Sequence, residues 1–416
     1  MGVYNFVSCS FFLIFSVIAA LVTWFGGGVM PAGLISYTNE YFLFDSLSFY
    51  MLILVGFLGC YSLLNLGSYI SFTAIIFLGL SLLFSALCFC VNHSVLFWCF
   101  YELAMLPLLF LIFKDSPYSE RFLAGWYFAV YLLVTSLPLI LGLLYLTSAN
   151  GTPYLSEWNG TNTSIYVYIV LSFIFFTKVP LGPFHTWLPI VHAEATSIVS
   201  IFLSGYIMKL GLLGVFRCSP FLFDSNFYSY LFFCCVLSVF FMITASGELD
   251  GKRWLAFLSL SHIVVAFVAF YVCDWSSVSL PFIFCLGHGL SAGLVFGMLW
   301  LFYDNSNSRN WLLLKEGVTG KASLFAMVVS LLSLCSFPPT LQFFCEVNLL
   351  LESTLSGFYI IFWSFYLFLG GLVPLVLCSH VLIRTESVES SLNTCSTFYF
   401  YFFYLALWCY LGVFLL

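Results

Sequence analysis

Glu102, Lys178, Lys209 and Glu346 each lie well inside a long apolar run, away from polar loops. Glu102 stands in SVLFWCFYELAMLPLLFLIF, Lys178 in IYVYIVLSFIFFTKVPLGPFHTWLP and Lys209 in ATSIVSIFLSGYIMKLGLLGVF, while Glu346 follows FPPTLQFFC. A charge at the middle of a membrane helix costs roughly 2.5–3.5 kcal/mol on insertion scales. Two acids and two bases at such depth point to a path for protons or ions. His262 and His288 fall on neighbouring apolar runs, and histidine titrates near neutrality.

The elements that carry these residues follow from composition. Hydrophobic residues make up 63% of the 416 and charged residues 7%, against about 25% charged in a soluble domain. So much apolar surface cannot be hidden in one aqueous fold, and the chain reads as an integral membrane protein. Its length leaves room for a dozen or more spans of about 20 residues. A net charge of −6 offers no basic surface and argues against a nucleic-acid partner. The 15 cysteines contain no CxxC pair, so neither a disulfide framework nor a zinc or iron–sulfur site is expected. No GxGxxG or P-loop is present. The 52 Phe and 25 Tyr fit a thymine-rich organellar gene and lipid-facing packing. In an organelle-made protein the sequons at Asn92, Asn150, Asn159 and Asn162 carry no meaning.

Thirteen spans are expected, near 5–26, 47–67, 69–91, 94–113, 124–148, 165–190, 195–216, 227–247, 253–272, 279–302, 322–352, 357–383 and 396–416. The first lacks the basic flank and cleavage site of a removable signal. The fold class is therefore all-α and polytopic, one transmembrane domain over 1–416. Lys114, Arg121, Lys252, Arg253, Arg309, Lys315, Lys321 and Arg384 all fall in loops after even-numbered spans; loops after odd-numbered spans hold only Arg217. By the positive-inside rule the first set faces the cytoplasm or matrix, and the N-terminus lies on that side.

Two spans are long and interrupted: the sixth by Pro180 and Pro183, the eleventh by Pro338 and Pro339. Proline removes an amide donor, and broken backbone survives in a membrane only where protein buries it or a wet cavity meets it. The breaks lie five spans apart. Spans 3–7 (69–216) and 8–12 (227–383) are thus expected to be five-helix repeats, the second inverted because five is odd, flanked by 1–68 and 396–416. Broken helices at corresponding places in inverted repeats mark a transporter's site.

TKVPLGPFHTWLPIVHAEATSIVSIFLSGYIMKLGLLGVFR (177–217) resembles the KxPxxxFHxWLPxAHxxAP…LLKxGxYGxxR signature of the antiporter-like subunits of respiratory complex I, NADH–quinone oxidoreductase. SGELDGKRWLAFLSLSHI (246–263), FCLGHGLSAGLVF (284–296), FYDNSNSR (302–309) and YELAMLPLLFLI with PYSERFLAGWYF resemble further blocks of that family, in order. Within it, Glu346 matches the chain-4 type, where the chain-2 and chain-5 types carry lysine. The family usually has fourteen spans, one more than counted here. No proline follows Ala195, Phe257 and Leu258 stand for Tyr and Ser, and Asp304 stands for Glu, so loops near 192–196 and 304–309 are expected to differ.

The resemblance implies a proton relay of Glu102, Lys178, Lys209, His262, His288 and Glu346. Glu102 and Lys178 would be its acid–lysine pair, Lys209 its central lysine and Glu346 its terminal acid. The histidines would bridge Lys209 to Glu346 through waters. The plain alternatives are a static ion pair, snorkelling of Lys209 toward Arg217, a helix-capping carboxylate at Glu346 and core histidines satisfied by backbone. His185 and His192 read as structural or interfacial. The resemblance further implies a mitochondrial inner-membrane location with the N-terminus in the matrix, and neighbouring membrane-arm subunits, above all the chain-2 and chain-5 types, with lipids around them. This chain would hold no cofactor; NADH, flavin (FMN), iron–sulfur clusters and ubiquinone would sit on partner subunits. A Mrp-type cation/proton antiporter subunit and a non-pumping scaffold are the competing readings.

Overall fold

The computed structural model describes residues 37–66, 71–158, 160, 163–222, 227–273, 279–314, 320–354, 357–383 and 396–412. Short strands β1 (Tyr37–Thr38) and β2 (Leu43–Phe44) pair antiparallel. Helices follow: α1 (Ser46–Leu66), α2 (Phe72–Cys90), α3 (Ser94–Asp115), α4 (Arg121–Ala129), α5 (Thr135–Asn150), α6 (Ile165–Lys178), α7 (Trp187–Glu194), α8 (Ser197–Phe202), α9 (Met208–Cys218), α10 (Phe227–Gly247) and α11 (Gly251–Val272). The chain continues through α12 (Ser279–Ser306), α13 (Trp311–Leu314), α14 (Gly320–Leu334), α15 (Leu341–Ser353), α16 (Gly357–Ile383) and α17 (Ser396–Leu411). Every expected span from the second onward coincides with a helix or a joined pair of helices. The first, 5–26, lies outside the described residues.

Helix is the form that satisfies each backbone amide within its own segment, which lipid demands. Among the described residues, 7 helices are long and apolar enough to cross a membrane. They are not equivalent. The best apolar windows of Ser197–Cys218 and Leu280–Asp304 are 100% buried by the rest of the chain, and that of Gly251–Val272 is 83% buried; those of Phe72–Cys90 and Gly357–Ile383 are only 33% buried. The outer helices present apolar side chains such as Leu83, Ile360 and Phe368 outward. The enclosed ones carry Lys209, His262 and His288.

Both expected interruptions are present. Lys178 closes α6, the chain turns through 179–186, and α7 starts at Trp187, whose indole N–H donates to the Thr177 carbonyl at 2.9 Å across the break. The second break separates α14 from α15, with Ser336 in the left-handed region at φ 54° and Thr340 as the extended N-cap. Two further irregularities lie outside those breaks: the first ends four residues before Pro138, inside the helix that follows, and the second has no proline in or just after it. π turns at Val130–Val134 and Leu203–Ile207 join α4 to α5 and α8 to α9.

The basic residues gather at one end of the bundle. Lys114 reaches Thr73 at 2.8 Å, Arg121 donates to the Ser116 carbonyl at 2.9 Å, and the Ser116 hydroxyl donates to the Glu194 carbonyl at 2.5 Å. Arg309 pairs with Glu194 at 3.1 Å and Asp250 at 3.4 Å, next to Lys252 and Arg253. At the other end Arg217 pairs with Asp45 at 2.8 Å, and the backbone of Asn92 meets Tyr41 and Leu155. Lys315 and Arg384 lie outside the described residues. Lys252 departs from its reading as a loop charge: it is the second residue of α11 and is buried, because the segments around Ala195 and Arg309 close over it.

This arrangement fixes an outcome for topology. Against the unmodified chain as background, cysteines placed at Lys114 and Arg253 should react with a membrane-impermeant maleimide from one side, and a cysteine at the exposed Glu157 from the other. Labelling of all three from the same side would overturn the span order.

Candidate functional site

All six residues singled out in the sequence are buried, none more than 8% exposed. They form two connected groups with Lys209 between them.

In the first group, α3 brings Glu102 to Lys178, with Nζ 2.6 Å from the carboxylate. Lys178 sits at the C-terminus of α6 because the proline break ends the helix there. That end carries partial negative charge and suits a cation. Lys178 Nζ also lies 4.0 Å from the centroid of the Tyr101 ring, a second source of stabilisation for positive charge. Beside the pair is a cavity of about 10 Å³, lined by Met105, Phe128, Tyr131, Thr177, Lys178, Trp187 and Ile207. That is about the room one water requires.

Lys209 is fully buried on α9 and donates to the Ser204 carbonyl. The π turn supplies this partner. The Met208 amide bonds to the Leu203 carbonyl, five residues back, so the Ser204 carbonyl loses its α-helical donor and is open to the lysine. The side chain therefore runs toward the start of its span, away from Arg217, which is not snorkelling. No carboxylate lies within ion-pair distance of Lys209 among the described residues. The π turn is anchored by Tyr206, whose hydroxyl is 3.0 Å from Ser81 Oγ; Ser81 in turn donates to the carbonyl of Ala104 at 2.6 Å, two residues past Glu102.

The second group centres on Glu346. It lies inside α15 rather than at its cap, and accepts hydrogen bonds from Ser336 at 2.9 Å, Gln342 at 3.1 Å and Tyr366 at 3.3 Å. Tyr366 and Gln342 also reach His262 Nδ1, at 2.5 and 3.3 Å. His262 and His288 face each other with ring centroids 5.3 Å apart, and Lys209 is near enough to act electrostatically on both. The Tyr366 hydroxyl has one hydrogen. It can donate to the carboxylate while accepting from the imidazole, or donate to the imidazole, and the two arrangements differ by the position of a proton. Among the described residues His262 Nε2 and both nitrogens of His288 have no partner. Buried polar atoms of this kind are normally met by water.

The structure thus joins Glu102 to Lys178 directly, and His262 to Glu346 through Tyr366 and Gln342. Among the described residues no hydrogen bond connects Lys178 to Lys209 or Lys209 to a histidine. Gln342 and Tyr366 escaped the sequence reading. Gln342 stands one turn before Glu346, a spacing that could have flagged it; Tyr366 is one of 25 tyrosines and carried no such mark. His185 is half-buried with its ring 4.7 Å from Phe241, and His192 is fully buried and stacked on Phe296 at 5.0 Å. No group of His, Cys, Asp and Glu among the described residues is placed to hold a metal.

Known proteins with these features are membrane subunits. Residues 91–372 match the family model described as NADH:quinone oxidoreductase/Mrp antiporter, TM. The chain is 29% identical over 273 residues to NADH-ubiquinone oxidoreductase chain 4 of Acanthamoeba castellanii, a match covering 63% of this chain and 55% of that relative. The matched stretch therefore spans little more than half the relative's length. Its fold is similar to a chain of respiratory complex I from Thermus thermophilus with bound NADH, at a TM-score of 0.75 and 21% identity over 89% of this chain and 81% of that one. It is equally similar to a chain of the Mrp complex from Dietzia sp. DQ12-45-1b, at a TM-score of 0.77 and 16% identity over 94% of this chain and 76% of that one. With more than half of its residues inside the family model, the chain belongs to the NADH:quinone oxidoreductase/Mrp antiporter transmembrane family.

Proposed function

We propose that the chain is a proton-translocating membrane-arm subunit of NADH–ubiquinone oxidoreductase in the mitochondrial inner membrane. The observation that carries this reading is the buried polar series itself: Glu102–Lys178, then Lys209, then His288 and His262, then Tyr366 with Gln342, then Glu346. Nothing about packing requires two acids and two lysines inside apolar helices, and each is costly to keep there. The two breaks mark two five-helix repeats of opposite orientation, 69–216 and 227–383, with one half of the series in each. Similarity to chain-4 relatives favours neighbours of the chain-2 and chain-5 types and a matrix-facing N-terminus. NADH, flavin, iron–sulfur clusters and ubiquinone are then the partners' charge, and this chain's work is proton movement alone.

In this mechanism the Glu102 carboxylate holds the Lys178 ammonium. When the carboxylate is drawn to another partner, Lys178 gives up its proton toward Lys209 through water at the break. Lys209 passes a proton to the histidine pair. A proton reaching His262 moves on by exchange through the Tyr366 hydroxyl, which takes one hydrogen from the imidazole as it hands its own to Glu346. The net result is one proton moved and no change in the charge of tyrosine.

The Mrp-type reading has support of its own in the fold match to the Dietzia Mrp complex. The native assembly decides between them. A complex I subunit should co-purify with rotenone-sensitive NADH:quinone reductase activity that acidifies one side of a vesicle. A Mrp-type subunit should exchange sodium for protons with no NADH oxidation.

Two substitutions follow from the geometry. Glu102→Gln keeps volume and hydrogen-bonding capacity, so assembly should persist while NADH-driven proton pumping and quinone-coupled turnover fall by about a hundredfold or more, the scale of losing a proton-transfer group. Reduction of an artificial acceptor at the peripheral arm should be unchanged; undiminished pumping would leave the chain a scaffold. Tyr366→Phe removes the hydroxyl between His262 and Glu346. Its cost in stability should be about 1–2 kcal/mol, seen as a small drop in melting temperature, with pumping lowered far beyond what that destabilisation explains.

A further inference from the structure

Lys252 is a buried cation to which the relay assigns nothing. It is 4% exposed and donates to the Ala195 carbonyl at 2.8 Å, and among the described residues it has no carboxylate at ion-pair distance. Two of the three nearby acids are otherwise engaged, since Arg309 holds both Glu194 and Asp250. Toward the outside, the rings of Tyr118 and Tyr303 lie 5.2 and 6.0 Å from Lys252 Nζ, and the Arg309 guanidinium packs 4.1 Å over Tyr118. These groups are only partly buried. Lys252 therefore sits one layer beneath the surface of the basic end.

On its inner side a set of polar atoms lacks partners. His192 is fully buried, Lys252 acts on it electrostatically, and among the described residues both of its ring nitrogens are unsatisfied. Ser259 Oγ is also buried and unsatisfied. It lies seven residues beyond Lys252 on α11, two turns deeper on the same face, or about 10 Å by helical rise. Next come His262 Nε2 and the two nitrogens of His288, again without partners. From Lys252 to His262 is about 15 Å of helix, half of a roughly 30 Å hydrocarbon core. Orphaned polar atoms are rare in native interiors, and a row of them leading to one depth implies a row of waters.

We propose that Lys252 and His192 form a proton-uptake branch that runs from the basic end of the bundle to the His262–His288 pair. This rests on the proton-translocating reading above and adds the route by which the series is reloaded. The Lys252 ammonium gives a proton, through water, to an unsatisfied nitrogen of neutral His192. The Lys252 amine left behind takes a proton from water at the basic end. His192 returns to neutral by passing its proton inward past Ser259. One proton crosses per cycle and no electrons move. The groups that face Lys252 are Tyr118 from the loop after α3, His192 and Glu194 from α7, Asp250 at the start of α11, Tyr303 and Asp304 from α12, and Arg309 beyond it. Arg309 opposes the charge on Lys252 and the three acids favour it.

The test uses the assembled complex with Lys252→Met, Lys252→Arg and Lys252→His, beside Glu102→Gln. Met should cut pumping and coupled turnover by about a hundredfold while reduction of the peripheral artificial acceptor continues. Arg keeps the cation but cannot release a proton, so it should fail as Met does. His should restore part of the activity, with its pH profile on the basic side displaced to more acidic values than the parent's, because histidine ordinarily titrates near 6.5. Full activity in the Arg variant would make Lys252 a structural cation and overturn the proposal. So would full activity in the Met variant. If Met prevents assembly, Arg against His decides, since both can keep the positive charge. Loss of pumping in Glu102→Gln with none in any Lys252 variant sinks the uptake branch alone; loss in neither sinks the proton-translocating reading itself.

Discussion

An ammonium held 2.6 Å from a carboxylate inside a shell of apolar helices is expensive, and the architecture around Lys178 and Glu102 is organised to hold it. The break after α6 leaves carbonyls at a helix C-terminus beside the cation, and Tyr101 adds a ring face. The second break is built in the opposite sense. There the buried charge bearer is an acid, Glu346, inside α15, where three donors point at one oxygen. A base at the end of one half-helix is held by a carboxylate and a helix terminus, and an acid inside the other by three neutral donors. Proline makes both solutions possible, since it ends a helix where no loop could otherwise be tolerated.

What was legible in the sequence is what local rules decide. Apolar runs give spans because lipid forbids unpaired amides, and Pro180, Pro183, Pro338 and Pro339 give breaks because proline lacks the donor. Charges within spans stood out because they are costly. What was not legible depends on contacts between distant segments or on register. Tyr366 and Gln342 become a bridge only once α11, α15 and α16 are packed together. The π turn at Leu203–Ile207 has no proline, and Gly205 is one glycine among 29. Lys252 looked like a loop charge because the apolar run of its span begins only at residue 253. Its burial is decided by Ala195 and Arg309, far away in the chain. The loops near 192–196 and 304–309, expected to depart from the family pattern, turn out to meet each other, with Arg309 bonded to the Ala193 carbonyl and to Glu194.

The two halves of the buried series handle charge differently. The first uses a direct ion pair, whose members are stabilised only while they stay together. The second uses hydrogen bonds from neutral groups, and these can be redrawn without separating charges. Lys209 belongs to neither. Its partner is a backbone carbonyl, freed because the Met208 amide reaches past it to Leu203. A carbonyl cannot ionise and cannot move away while the π turn is held by Tyr206 and Ser81. The local environment of Lys209 is therefore constant, and what varies around it is the charge on either side: the Glu102–Lys178 pair and the two histidines. A group with a fixed partner and variable neighbours responds to both. That is the property the proposed relay asks of its centre, and it follows from one extra residue in a helical turn.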